Sequence, residues 1–473
     1  MTWTGRLATY AALLAIGLTW SFATARYGGP DEPAHILRAA SVARGELVGD
    51  PAPTLAGGYR FVTVDAALTT GDPSCYRHDA AEPAMCAVAE AGVSGDRRAA
   101  TSAATYPPYY YALVGLPVWL FGDPAETLWY RGVAAAWCAL VLTVVVARAR
   151  AIAGRLPVVV LAAFSPAAWF LIGVVNPNAI EVALALLAWV GVTRFGGTRS
   201  DALWIGVPIG IAVLLRPVAV VDWVVIAAVM AARFGWRRRV LALHGPTVAA
   251  VVASGLWSVW SNIGVGDSRT ASDVGFFRAV QLSFDGTSDT LREMAGSLGW
   301  LEFSAPNIAQ LLWWLVIVAS VAAALHRSAL LIAAAVVATP IVFEVAVRDS
   351  IGFVWQGRYS IPVAIGVAAL ALPRATQHRR IALAALLATG VAEVVTLWTA
   401  LRRYSVGVDG SWWLRDAAWH PPLSPWLLLA LNAAALGSLA FGHFAAHDVE
   451  RRAGAEPLDL LRAERVDALE VDH

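Results

Sequence analysis

Charge is what this chain has least of. Aspartate, glutamate, lysine and arginine make up 15 % of its 473 residues, where a soluble domain carries roughly 25 %. With 58 % hydrophobic residues and a mean hydropathy of +0.61, that shortage excludes an ordinary soluble enzyme. Lysine is missing entirely, and all 35 basic residues are arginine. So uniform a usage reads as genome composition, and arginine at any one position carries little weight for that reason alone. The net charge is +1, so there is no basic excess to draw nucleic acid. Three cysteines without metal-ligand spacing exclude a zinc site. No internal repeat and no heptad pattern is visible.

What the chain does have is apolar sequence in membrane-length runs. Stretches of about 17–25 residues recur throughout, the pattern of a polytopic helical membrane protein. Spans are expected near 7–26, 127–147, 156–175, 178–194, 202–215, 217–233, 240–262, 306–325, 329–347, 358–373, 381–401 and 424–445. The expected fold is all-α, with about 12 transmembrane helices (11–13). The first run, Leu7 to Ala25, is long for a signal peptide, so it reads as a retained helix.

Arginine orients the helices. Short loops on one side hold Arg148, Arg150 and Arg155; Arg194 and Arg199; Arg233, Arg237, Arg238 and Arg239; Arg327; and Arg374, Arg379 and Arg380. Arginine-rich loops stay in the cytoplasm. Both termini are then cytoplasmic. Residues 1–450 form the transmembrane domain, and 451–473, opening on Arg451 and Arg452, a cytoplasmic tail. Counted as a span, Tyr106 to Phe121 would place the Arg148–Arg155 cluster outside. It therefore reads as a helix lying on or dipping into the outer leaflet.

Four segments fall outside the cell: 27–106, 263–305, 348–357 and 402–423. The first is far too long for a mere connection. It holds Cys75 and Cys86 on the oxidising side, which suggests a disulfide, with two unpaired thiols as the alternative. Cys138 sits in the middle of a span.

The chemistry-bearing feature is Asp31-Glu32, in Gly-Gly-Pro-Asp-Glu-Pro-Ala-His directly after the first span. Ionisable groups at a membrane surface need water or a partner, which makes them functional candidates. The plainer reading is that Asp31 caps the following helix, with Pro33 in its first turn. In that helix, expected over 34–47, Ile36, Ala40, Ala43 and Leu47 share one face, as in a juxtamembrane amphipathic helix. Its N-terminus favours ionised carboxylates, and a carboxylate there can accept a hydroxyl proton. His35, one turn on, either pairs with Asp31, joins a metal site, hydrogen-bonds a sugar or stands solvated at the interface.

Three motifs carry a resemblance: Pro-Asp-Glu-Pro-Ala-His, Tyr106-Pro107-Pro108-Tyr109-Tyr110, and Gln356-Gly357-Arg358-Tyr359. In order and placement they resemble the bacterial membrane family known as domain of unknown function 2142, from about residue 7 to 445. That family looks like part of the GT-C glycosyltransferase superfamily, alongside protein O-mannosyltransferases and aminoarabinose transferases. The resemblance implies transfer of a sugar from a polyprenyl-phosphate donor to a cell-envelope glycan, lipid or protein acceptor outside the cytoplasm of a bacterial plasma membrane. By position, Asp31 takes the role of base or acceptor-positioning group, with Glu32 second. Direct displacement would invert the anomeric centre. A divalent cation, Mg or Mn, has room in this picture, since some superfamily members use one. The first loop has no Asp-x-Asp, which counts against it.

A phosphate donor needs cations. Arg358, Arg216 and Arg131 all stand at outer helix ends, and guanidinium binds phosphate by bidentate, charge-assisted bonds. Snorkelling toward headgroups is the alternative for each. Asn176-Pro177-Asn178, with Glu181 one turn on, marks another outer break suited to sugar contact or capping. Tyr106, Tyr109 and Tyr110 are candidates for the sugar pocket, against interfacial anchoring, which also accounts for most of the 21 tryptophans, and Tyr359 is a further candidate for substrate binding. Two other classes compete with a transferase. One is a transporter or flippase for a polyprenyl-linked glycan, which would use mid-helix charges such as Glu344 and Glu393. The other is a non-catalytic envelope-assembly subunit.

Overall fold

The computed structural model describes residues 2–441 apart from 53–54, 56–57, 123–125, 154–156, 199, 262–272, 325–326 and 376. The expected tail 451–473, with Arg451 and Arg452, lies outside the described residues, as do Arg155 and Arg199.

Among the described residues, five helices are long and apolar enough to cross a membrane: Trp3–Ala23, Thr127–Ala153, Pro217–Phe234, Arg327–Val347 and Arg380–Val406. Five apolar helices are shorter, namely Ser200–Leu215, Gly245–Trp260, Asn307–Ala323, Ile361–Ala375 and Pro425–Phe441. Their 10–17 residues fall short of the roughly 20 that a crossing helix needs. The expectation of about twelve full spans is therefore met by length in only five, or six if one bent pair is counted together.

That bent pair corrects the third expected span. The described residues of 156–175 form not one helix but a 3-10 segment, Pro157–Ala163, followed by a short α-helix, Pro166–Ile172. Pro166 has no N–H to continue a ladder. Ser165 is extended and caps the new helix, its hydroxyl accepting from Ala168 N at 3.2 Å. Pro166–Ile172 then meets Pro177–Thr193 at a bend of 118°.

The bundle has two distinct ends. Arg131, one turn into Thr127–Ala153, donates to carbonyls at the C-terminus of the first helix. Those two helices are thus antiparallel, and Arg148 lies roughly 25 Å away at the opposite end, at 1.5 Å per residue. Asn176, which starts Pro177–Thr193, bonds Pro30, so Arg194 also lies at that far end. Arg233 and Arg237 share a cleft there with Phe195 and Gly196. Arg148, Arg194, Arg233 and Arg237, all expected in cytoplasmic loops, thus lie at the end of the bundle opposite Asp31.

The first loop is not helical throughout, which corrects the all-α expectation. It contains a three-stranded antiparallel sheet: β1 (Asp50–Pro51), β2 (Arg60–Asp65) and β3 (Asp96–Thr101), in the order β1-β2-β3. Arg60 pairs with Thr101 and Asp65 with Asp96. Alternation puts Val62 and Val64 inside. The helix after Asp31, Glu32–Ala43, is also more buried than expected, since His35 and Arg38 lie inside along with Ile36 and Ala40. Arg38 reaches that far because three carbonyls, of Glu46, Leu47 and Tyr106, receive its guanidinium. The Tyr106–Phe121 stretch forms two short helices, Pro108–Val114 and Leu116–Phe121, of seven and six residues, too short to cross.

The loop is pinned over the bundle end. Arg403 donates to the carbonyls of Tyr76, Asp79 and Glu82, and sits 3.4 Å from Glu302. Tyr76 in turn donates to Arg26 O at 2.6 Å. Cys75 and Cys86 are joined by a disulfide, and Cys138 is free and buried.

Candidate functional site

Two glycines bring the acidic pair into place. A side chain at Gly29 would lie 2.7 Å from Val174 Cβ, and one at Gly28 would lie 2.8 Å from the Tyr404 hydroxyl. The chain therefore runs tight against the bundle before turning outward. Asp31 makes that turn in the left-handed conformation, φ 58° and ψ 10°, which aspartate tolerates better than most residues.

The turn separates the two carboxylates. Asp31 is half exposed. It occupies the cap position of Glu32–Ala43, yet its side chain makes no cap hydrogen bond. Its partner is Arg358, whose Nη2 donates to Oδ2 at 2.8 Å. Glu32 points inward and is fully buried. Arg131 grips it in a two-pronged pair, Nε to Oε1 and Nη2 to Oε2, both 2.7 Å. Glu32 also accepts from the backbone N–H groups of Gly29 at 3.1 Å and Val175 at 3.0 Å. All of this corrects the expectation that Glu32 shares the chemistry, because its oxygens are committed to structure.

Arg131 is likewise corrected as a phosphate ligand. A guanidinium has five N–H donors. In Arg131 they go to both Glu32 oxygens and to the carbonyls of Ser21, Thr24 and Ala25. No donor is left.

The other two arginines differ. Arg216 is buried and donates to Glu181 Oε2 at 2.5 Å, with Asp222 against that same carboxylate. Its guanidinium lies 4.2 Å from the centre of the Tyr359 ring, and that of Arg358 lies 5.2 Å from the same ring. Tyr359 thus carries two cations, a geometry worth about 0.5–2 kcal/mol each. Arg358 is 7 % exposed and its buried Nε has no partner. Gly357 seats this motif: its N–H donates to Glu293 Oε2 at 2.7 Å, and a Cβ there would sit 2.4 Å from Met294 N and from Thr290 O.

Behind Asp31 lies an aromatic wall. His35 Nδ1 shares a 2.9 Å hydrogen bond with the Tyr111 hydroxyl, and its ring contacts Tyr106 and Tyr111 at 5.9 Å. Burial pushes the imidazole down to about 4, against the pull of the Asp31 carboxylate. His35 is therefore neutral at pH 7. A solvated interfacial histidine is excluded, and a metal site has no support, since among the described residues no group of three or more His, Cys, Asp or Glu converges. Tyr106 sits in the field of Arg216, Tyr359, Asp31 and Arg358. Tyr109 is 43 % exposed and has no hydrogen bond or ring contact among the described residues, which separates it from the cluster.

Asn176 caps Pro177–Thr193, accepting from Asn178 N at 2.9 Å, and donates to Pro30 O at 2.9 Å. It positions the Asp31 loop instead of facing a ligand. Asn178 donates to Glu181 at 2.8 Å, and its buried Oδ1 is unpartnered. The structure thus brings together Asp31, His35, Tyr106, Arg216, Arg358 and Tyr359. Glu32, Arg131 and Asn176 stand behind them as supports. Sequence reasoning missed Tyr111 and Glu293. The first is one more tyrosine in a tyrosine run, and the second lies 65 residues from the arginine whose neighbour it anchors.

The chain belongs to the family described as "Predicted membrane protein (DUF2142)", which matches residues 14–367. No curated protein matches it. Among solved structures, ArnT from Cupriavidus metallidurans bound to undecaprenyl phosphate is 14 % identical, with a TM-score of 0.49, over 93 % of this chain and 76 % of ArnT. The apo state of ArnT gives a TM-score of 0.44 at the same identity and coverage. A likeness of that degree carries neither fold family nor ligand to this chain.

Proposed function

We propose that this protein is an integral membrane glycosyltransferase of GT-C type, moving a sugar from a polyprenyl-phosphate donor to an extracytoplasmic hydroxyl acceptor. One observation carries the reading: a half-exposed carboxylate, free of any capping bond, held by an arginine with donors to spare. Arg358 and Arg216, stacked on Tyr359, make a cationic face for a phosphate beside a base for a hydroxyl. In this reading the acceptor oxygen attacks the anomeric carbon, and the bond from that carbon to the phosphate oxygen breaks. Asp31 takes the acceptor's proton, and polyprenyl phosphate leaves onto the arginines. The anomeric centre inverts. Before donor binding, Asp31 and Arg358 neutralise each other. A phosphate on Arg358 would replace Asp31 there and release the carboxylate to act as a base.

A divalent ion fits this donor set poorly, because Asp31 is its one carboxylate open to solvent while Glu32 is committed. No step is assigned to a metal. The arginine-rich far end supports placing Asp31 outside the cytoplasm. The flippase reading drew on mid-helix charge, but Glu393 accepts from Trp20 and Asn432 and so ties three helices together. The test is sugar transfer by purified protein from a polyprenyl-phosphate sugar. Near-wild-type transfer by Asp31→Asn would sink the catalytic assignment, and donor movement between leaflets without transfer would favour the flippase.

A further inference from the structure

A separate cavity lies at the arginine-rich end, away from Asp31. It has a volume of about 630 Å³ and runs between the helices Asn307–Ala323 and Arg379–Val406, floored by Ile361–Ala375. Eleven of its 20 lining residues are alanine, so its walls are smooth and suit a flexible hydrocarbon chain better than a shaped, polar ligand. Leu315 and Ile381, 55 % and 56 % exposed, form apolar lips. In a membrane protein, lips of that kind open toward lipid.

One end of the groove is polar. Arg374 and His378 line it there. Arg374 donates one N–H to Ala323 O at 2.8 Å, and among the described residues neither side chain is paired with a carboxylate. No acidic residue lines the groove. Arg374 stands 13 helical residues beyond Ile361, roughly 20 Å from the Arg358 end at 1.5 Å per residue. A headgroup here is therefore distinct from one at Arg358.

We propose that this groove holds one anionic glycerophospholipid of the leaflet at the arginine-rich end, with its phosphate on Arg374 and His378 and an acyl chain along the alanine wall. Charge chooses the headgroup. Guanidinium forms charge-assisted bonds to phosphate, and basic pockets between membrane helices select anionic lipids. A zwitterionic lipid would bring a cation into a groove that has no carboxylate to meet it.

The test is native mass spectrometry of the full chain in mild detergent, titrated with dioleoylphosphatidylglycerol or dioleoylphosphatidylcholine. Wild type should hold phosphatidylglycerol at least about tenfold more tightly, and Arg374→Gln should lose about tenfold of that binding, the scale of one charge-assisted hydrogen bond. Ala371→Leu, which fills the floor, should weaken both lipids. Arg374 is exposed, so its variant should keep the wild-type melting temperature, which makes its binding loss specific. Equal binding of the two lipids by wild type would overturn the proposal, as would unchanged binding in Arg374→Gln. Displacement of phosphatidylglycerol by undecaprenyl phosphate at equal concentration would overturn it too, making the groove a prenyl site.

Discussion

Substitution of Asp31 separates chemistry from architecture, because the structure predicts different orders for activity and for stability. Asp31 has a left-handed backbone and no cap bond. Among the described residues its ion pair is to Arg358, with the aspartate side chain 50 % exposed. A pair that open contributes about 0–1 kcal/mol. Asp31→Asn keeps a residue that accepts left-handed geometry, so it should unfold within about 1 kcal/mol of wild type. Asp31→Ala adds a left-handed penalty of about 1–2 kcal/mol. Asp31→Gly removes that penalty and should match or exceed Asp31→Asn in stability. Were Asp31 a helix cap, asparagine would again be tolerated, but glycine would gain nothing over it. Activity should follow another order: all three variants lack a base and should turn over about 10²–10⁴-fold more slowly. The assays are thermal unfolding in detergent and sugar transfer from a polyprenyl-phosphate sugar. Glycine less stable than alanine would refute the backbone argument. Asparagine with near-wild-type turnover would refute the general base.

Other expectations follow from the same contacts. Glu32→Gln leaves the buried Arg131 without its ion partner, which costs about 3–5 kcal/mol; a melting temperature equal to wild type would contradict the clamp. Arg358→Ala should weaken donor binding and Arg358→Lys recover only part, since an ammonium lacks the planar fork; unchanged donor affinity in both would move the phosphate site elsewhere. His35 is held at about 4 against an ordinary 6.5, so the unfolded chain binds the proton first. Its contribution is present above pH 6.5 and is lost as pH falls to about 4, a swing of roughly 3 kcal/mol. His35→Gln should show a shallower acid limb, and superimposable profiles would count against this. Cysteines introduced at positions 65 and 236 should label from opposite sides of the membrane; labelling from one side would overturn the orientation.

The helical parts of this fold were legible because apolar length is a direct signal. Eleven of the twelve expected spans correspond to a helix or to its larger part. The exception, 156–175, is as apolar as the rest, and hydropathy does not register that Pro166 and a Ser165 cap divide it. The sheet of the first loop was hidden for a different reason. β2, Arg-Phe-Val-Thr-Val-Asp, alternates clearly, but its partner β3, Asp-Arg-Arg-Ala-Ala-Thr, has almost no strand character of its own. Pairing across about 35 residues supplies what the local sequence lacks. Charge and helical face leave the burial of His35 open. The cover over it comes from Tyr106 and Tyr111, some 70 residues later.

The three arginines show why residue type at a helix end is not enough to name a ligand site. Each is buried, and each meets a carboxylate. What differs is whether the pairing can be exchanged. Arg131 faces a fully buried Glu32 and has spent all five donors, so displacing its partner would strand a carboxylate in the core. Arg216 is balanced by Glu181, with Asp222 beside it, and both acids are buried. Arg358 faces half-exposed Asp31, which water can receive, and keeps an unpartnered Nε. An incoming phosphate can therefore replace Asp31 at Arg358 at little desolvation cost, while the same exchange at Arg131 is closed. The left-handed turn at Asp31 creates this difference. It sends one carboxylate of an adjacent pair into the core to fix the loop and the other into solvent, beside the one arginine of the three that can exchange its partner.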